Sequence, residues 1–391
     1  MFSLYDSRLR AVADIVPARR GQLRMSACGP TVGRVADLGD LRTVLLPDLI
    51  RRNAERHGWS VLVCQNITGT DRFAGASPAE NSAAENSAAE NSAALRADCA
   101  ALNIPPPDYA PRAPESADLS IEMIAKLIES GYAYATADGS VYFDARSFPD
   151  GGSTDQLPAD QEPAEAPADW ALWRAAPEGG ELTWAAPWGT GFPSQDAQCS
   201  ALALGFLGDL IDIHAGSAGA RFPHYERERA QSDSLAGHEV VRHWVDGERV
   251  LFEDREMAEP ALADVTARGL DPLCVRYAFL DHRYGQQLNL TWDALTAADG
   301  AVRQWRELVA DWANEPSRPI DAQYWARITA SLDEDLDTPA VLRALRELAS
   351  DTDVAAGSKF ETFAAADRVL ALDLVSLVGR TGPAIPDAAG A

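Results

Sequence analysis

Residues 22–28 (Gln-Leu-Arg-Met-Ser-Ala-Cys) alternate between apolar and polar positions and then meet Gly29-Pro30, a pattern that predicts a strand running into a turn. From Leu41 to Arg56 the apolar residues fall at helical spacing with arginines on the other side, and Gly58 supplies a stop. Trp59 to Cys64 then reads as a buried strand ending at Gln65-Asn66-Ile67-Thr68. Strand, helix, strand in this order implies a parallel sheet, whose ligands sit beyond the carboxyl ends of the strands. Cys28-Gly29-Pro30-Thr31 and Asn66-Ile67-Thr68 fall at those ends. Residues 77–94 repeat Ala-Glu-Asn-Ser-Ala and read as a low-complexity helix or exposed loop without chemistry. Residues 95–135 predict two helices around Pro105-Pro106-Pro107, Gly139 to Phe143 a short strand, and the Pro-, Asp- and Glu-rich stretch from Gly151 to Ala168 a mobile surface loop. The spacing from Cys199 to Ile213 predicts a helix and then a strand into Asp212-Ile213-His214. After Asn289, four amphipathic patterns (Trp292 to Trp312, Asp321 to Leu332, Thr338 to Ala349, Lys359 to Leu377) predict a helical bundle.

Composition narrows the class. In 391 residues, 46% are hydrophobic and 8% aromatic, which is enough for sizeable cores and two domains. No run of 18 apolar residues marks a membrane span, and Asp6, Arg8, Arg10 and Asp14 interrupt any secretory leader, so a cytoplasmic protein is expected. The five cysteines (Cys28, Cys64, Cys99, Cys199, Cys274) are an odd, dispersed set, which favours reduced thiols with one or two available for metal. Against 34 basic residues stand 59 acidic ones, a net charge of −25 that argues against a broad nucleic-acid surface. A local stripe of Arg42, Arg51, Arg52 and Arg56 is the exception that could meet a phosphate backbone.

Several stretches, collinear over roughly residues 20–345, resemble the cysteinyl-tRNA synthetases. They are Cys28-Gly29-Pro30-Thr31-Val32, Gln65-Asn66-Ile67-Thr68, Tyr142-Phe143-Asp144 with Arg146-Ser147-Phe148, Trp170-Ala171-Leu172-Trp173, Pro187-Trp188-Gly189, Cys199-Ser200-Ala201, Asp212-Ile213-His214, Phe222-Pro223-His224 through Ala230-Gln231-Ser232, Val275-Arg276-Tyr277 and Asp335-Leu336-Asp337-Thr338-Pro339. Mycothiol cysteine ligases share this core, so the resemblance fixes the superfamily better than the acceptor. It implies an α/β fold: a class I Rossmann-like, HUP-type catalytic domain over residues 1–288 with a connective insertion at about 95–185, then an all-α bundle of the tRNA stem-contact type over 289–380. Residues 381–391 are expected to be a disordered tail, and the family's C-terminal anticodon-binding domain to be absent.

Taken singly, each cysteine reads as core packing and His224-x-x-x-Glu228 as a solvated ion pair on a helix. The resemblance implies more: a zinc ion held by Cys28, Cys199, His224 and Glu228. Zinc prefers thiolate and imidazole, and a cysteine substrate can add its own thiolate where serine's hydroxyl cannot match it. Four residues apart on a helix, His224 and Glu228 share a face, and Pro223 suits a helix start. Gly29, Thr31, Thr68 and His214 keep the family residues and are the expected substrate-binding positions.

The ATP signatures depart from the resemblance. The family's His-Ile-Gly-His element reads Asp37-Leu38-Gly39-Asp40, and its Lys-Met-Ser-Lys-Ser loop reads Glu256-Met257-Ala258-Glu259-Pro260. Adenylation needs positive charge and donors around the phosphates, which carboxylates do not supply. The glycine-rich run that approaches adenosine is Ala215-Gly216-Ser217-Ala218-Gly219, its following aspartate replaced by Gly219, and the Trp-His pair before the second zinc cysteine reads Gln195-Asp196. The expectation is a pseudoenzyme that keeps zinc and cysteine, and with them a tRNA acceptor stem or a protein partner as candidate partners, without the family's use of ATP and magnesium. Two alternatives stand beside it. One is a residual ATP-dependent ligase, forming Cys-tRNA or joining cysteine to a small amine, in which Asp37, Asp40, Glu256 and Glu259 gather magnesium. The other is an ATP-independent transferase fed by cysteinyl-tRNA. Relaxed constraint in a decaying paralogue would also account for the four acids.

Overall fold

The computed structural model describes residues 2–31, 34–68, 78–111, 117–148, 168–176, 183–254 and 260–380, without the side chains of 30, 31, 67, 68 and 78–87. The chain opens with an antiparallel hairpin of β1 (Ser3–Asp6) and β2 (Ala11–Asp14). It then builds β3 (Gln22–Thr31), α1 (Leu38–Arg56) and β4 (Ser60–Thr68), with β3 and β4 parallel. The expected turn at Gly29-Pro30 is not one: β3 runs on to Thr31 through a register irregularity between Cys28 and Thr31. Gly29 permits this because a Cβ there would lie 1.9 Å from the carbonyl oxygen of Asn66.

The alanine-rich repeat becomes the helix α2 (Pro78–Ala101), followed by α3 (Ala117–Glu129). Next comes an antiparallel five-stranded sheet of β5 (Ala133–Ala135), β6 (Val141–Phe143), β7 (Trp170–Ala175), β8 (Trp184–Ala186) and β9 (Gly189–Pro193), in the order β5-β6-β7-β9-β8. Trp170 and Trp173 are wholly buried in its own apolar cluster. The expected loop at 151–168 and the tail at 381–391 lie outside the described residues, apart from Ala168.

The chain then returns to the parallel sheet through α4 (Gln195–Leu207), β10 (Ile211–Ser217), α5 (Glu226–Ala236) and β11 (Val241–Gly247). Strand order β11-β10-β3-β4, all parallel, reverses its winding between β3 and β10. At such a switch point the crevice beyond the carboxyl ends of the strands is the natural ligand site. A short parallel pair, β12 (Val250–Phe252) and β13 (Leu288–Leu290), flanks α6 (Leu262–Ala267) and α7 (Leu273–Leu280).

The remainder is helical: α8 (Trp292–Trp312), α9 (Ala322–Asp333), α10 (Thr338–Ser350) and α11 (Ala356–Leu370). The last helix ends earlier than the spacing predicts, because Ala371 turns left-handed (φ 50°) and Asp367 accepts from the backbone of Leu372 and Leu374. One apolar cluster runs from Leu23 and Met25 in β3 through α1 to Phe363 and Leu374.

The arginine stripe on α1 is not a free basic surface. Arg42 is buried and donates to four backbone carbonyls, among them those of Glu248 and Gln286. Arg51 pairs with Asp108, Arg52 with Asp48 (2.8 Å) and Arg56 with Asp333.

Candidate metal and substrate site

Four side chains from separate elements converge beside the switch point: Cys28 from β3, Cys199 from α4, His224 from the turn Arg221–Tyr225, and Glu228 from the first turn of α5. One ligand atom from each lies within 4.8 Å of all the others. The Cys28 Sγ is 3.7 Å from His224 Nε2 and 3.7 Å from Glu228 Oε1, and His224 Nε2 is 2.7 Å from that same oxygen. Contrary to the single helix expected, His224 sits in a wider π-type turn that includes Pro223, and only Glu228 lies on α5, yet the two still share a face.

Buried ionisable groups this close must adjust their protons. A hydrogen bond with Cys199 draws the Cys28 thiol down, but burial and the adjacent Glu228 outweigh it and push it up to about 11. Cys199 is raised further by its bond to Cys28, burial and Glu228. Burial opposes charge on His224, yet Glu228, Cys199 and Asp196 hold it well above the ordinary value. Burial likewise opposes charge on Glu228, but His224 and His214 hold its carboxyl well below the usual range. Two thiols, an imidazole and a carboxylate, mutually at separations of a few ångströms, make a donor set that suits zinc.

Neighbours fix these groups. His214, from β10, is 2% exposed, with Nε2 3.2 Å from Glu228 Oε2 and 3.5 Å from Cys28 Sγ. Its ring stacks on Trp244 and meets Tyr225 edge-on. Asn66 accepts from the Gly29 N–H (2.9 Å) and donates to Cys199 Sγ (2.6 Å), so it ties β3 to α4. Its motif was visible in the sequence, but its bridging role was not. Thr31 and Thr68 are register partners at the strand ends, and their side chains lie outside the described residues.

Tyr225 occupies the face of the glycine run. A Cβ on Gly216 would fall 1.9 Å from its hydroxyl, which donates to the Ser217 carbonyl at 3.2 Å.

Asp37 and Asp40 start α1 as a reciprocal capping box. Asp40 N–H donates to Asp37 Oδ1 (3.0 Å), and Asp37 N–H donates to Asp40 Oδ2 (3.1 Å). The Leu38 N–H is taken by the Pro260 carbonyl (3.1 Å). Arg34 then clasps both acids, at 2.8 Å to Asp37 and 2.7 Å to Asp40. Burial and the Asp37 charge still raise the Asp40 carboxyl, with the cap bond and Arg34 acting in the other direction. No sequence pattern announced Arg34. Glu256 and Glu259 lie outside the described residues.

The fold is the one seen in class I aminoacyl-tRNA synthetases. It overlays a leucyl-tRNA synthetase from Agrobacterium radiobacter K84, in a ternary complex with tRNA, with a TM-score of 0.65 at 10% identity, covering 94% of this chain and 86% of that one. A Mycobacterium tuberculosis methionyl-tRNA synthetase bound to methionyl-adenylate gives 0.61 at 13% identity, with 90% of each covered.

Sequence narrows this class to one branch. The family described as tRNA synthetases class I (C) catalytic domain matches residues 14–300. The cysteine–tRNA ligase of Opitutus terrae is 34% identical over 368 residues, which span 88% of this chain and 80% of that protein, and the cysteine–tRNA ligase of Halorhodospira halophila is 34% identical over 362 residues, spanning 88% and 78%. The chain belongs to the cysteinyl-tRNA synthetase family.

Proposed function

We propose that this family member holds a zinc ion through Cys28, Cys199, His224 and Glu228, recognises cysteine or a cysteinyl group there, and does not activate it with ATP. Zinc, when bound, supplies a Lewis acid to which a cysteine thiolate can bind and a serine hydroxyl cannot match it. Around it, His214 and Asn66 hold the glutamate and thiols in place, while the buried rings of Tyr225 and Trp244 pack against His214.

The observation that carries the loss of adenylation is the start of α1. The N-terminus of a helix is a ready anion site because its first N–H groups are unsatisfied. Here the Asp40 N–H, the Asp37 N–H and the Leu38 N–H are taken by the chain's own oxygens, and two carboxylates stand where a triphosphate needs donors. Unlike charges in contact are worth about 1–4 kcal/mol at effective dielectrics of about 80–20, and a like charge reverses the sign. Since ~1.4 kcal/mol is tenfold in rate, even one uncompensated reversal in the transition state is severe.

Arg34 offsets one of the two negative charges and ties both carboxylates to the helix cap, which speaks against their gathering magnesium. Tyr225 against Gly216 further supports a crevice closed to adenosine. Calorimetric titration of the zinc-loaded protein with cysteine, serine and ATP separately tests the reading. Cysteine should bind, serine far more weakly, and ATP should give no saturable heat; saturable ATP binding overturns the adenylation part, and equal heats for serine and cysteine overturn the zinc–thiolate part.

A further inference from the structure

At residue 196 the chain departs from the family's Trp-His pair, and the structure shows what the replacement does. Asp196 lies in the first turn of α4, three residues before Cys199 and therefore on the same face of that helix. It is 7% exposed. One oxygen accepts from His224 Nδ1, and the other accepts from Arg227 Nη1 at 3.3 Å. Arg227 lies over the buried ring of Trp170 at 5.7 Å, which anchors the outer end of the chain in the antiparallel sheet. The opposite ring nitrogen, His224 Nε2, faces Cys28 and Glu228.

We infer that Asp196 is a positioning residue for the metal site, the outer carboxylate that keeps the proton of His224 on Nδ1 and turns Nε2 toward the ion. The inference rests on the zinc reading above and deepens it. A ligand histidine must present one lone pair and hold its ring still, and a carboxylate on the far nitrogen does both while raising the ring's basicity. One short helix thus delivers a thiolate donor and the orienting partner of the imidazole donor, and Arg227 braces that partner from outside.

The test compares wild type, Asp196→Ala, Asp196→Asn and Arg227→Ala for zinc affinity, by competition with a chromophoric chelator, and for the visible spectrum of the Co2+-substituted protein. Asp196→Ala should weaken zinc by roughly 10- to 100-fold and alter the cobalt band, since outer partners of ligand histidines typically have that weight. Asp196→Asn, which keeps the shape and loses the charge, should fall between, with Arg227→Ala affecting affinity less than either. Should Asp196→Ala fail to fold, judged by its melting without metal, Asp196→Asn carries the comparison. Unchanged affinity and cobalt spectrum in the Asp196 variants, with a wild type that binds zinc tightly, overturn the inference alone. A wild type that takes up no zinc overturns it together with the metal reading.

Discussion

Cys28 and Cys199 owe their behaviour to company as much as to identity. Buried against Glu228, both thiols are raised, while His224 is held charged. A metal needs thiolates and a neutral imidazole, so uptake near neutral pH must release protons, roughly two to three per ion. Zinc affinity should therefore climb steeply from pH 6 to pH 8, with matching proton release in an unbuffered titration; an affinity flat across that range contradicts the assigned donor set. Without metal, the His224–Glu228 pair has limits of opposite sign. The raised His224 contributes stability that is complete below its ordinary value of 6.5 and lost as pH rises through its folded value. The lowered Glu228 contributes above 4.5 and loses that contribution as pH falls through its folded value. At this scale the sequence was informative where a residue type is the chemistry: the four donors were legible from collinear motifs, and they converge. Asn66 as a bridge, Asp196 as an orienting carboxylate and Arg34 as a counterion were not legible, because each acts through a partner distant in sequence or across a turn.

At the scale of elements, the start of α1 is where sequence and structure differ most usefully. Read as a charge pattern, Asp37 and Asp40 are two acids lining a phosphate pocket; folded, they are the N-cap and third residue of a nineteen-residue helix. The apolar spacing placed the helix start at Leu41, three residues late, because a capping box carries no apolar signal of its own. Asp37→Ala should therefore destabilise the protein by about 1 kcal/mol, within the ~0.5–2 kcal/mol typical of N-caps, as measured by urea unfolding. A residue that merely lined a pocket with negative charge would leave stability unchanged or raise it on removal. The Gly29-Pro30 turn failed for a comparable reason: the dipeptide signals a turn locally, but the close pairing of β3 with Asn66 on β4 needs a glycine in an extended strand. Three of the four bundle helices were legible nearly to the residue, since their 3.6-residue periodicity comes from one buried face packed on the common core, whereas the fourth begins and ends earlier than its spacing suggests.

Across the whole molecule, the net charge of −25 stands while many of its arginines are consumed in local pairs. The arginines that read as a basic stripe are spent internally, and Arg276 is the extreme case: fully buried, it pairs with Asp48 of α1 at 2.6 Å and donates to the carbonyls of Leu102 and Leu370. That knot ties α1, the loop after α2, α7 and α11 together, so the helix that starts at the Asp37–Asp40 cap is also held by the rest of the protein. Among the described residues no helix is long and apolar enough to cross a membrane. The fold class and family were readable because one pattern recurs in order along most of the chain; the arrangement at the start of α1 was readable only in part, because charge identity shows in the sequence and the pairing of Asp37 and Asp40 with Arg34 does not. The proposed function is that of a family fold that keeps its thiol chemistry and gives up its phosphate chemistry. Cysteine-dependent exchange of labelled pyrophosphate into ATP by the zinc-loaded protein measures that directly: the account predicts no exchange above the blank lacking cysteine, and exchange that rises with cysteine and saturates would contradict it.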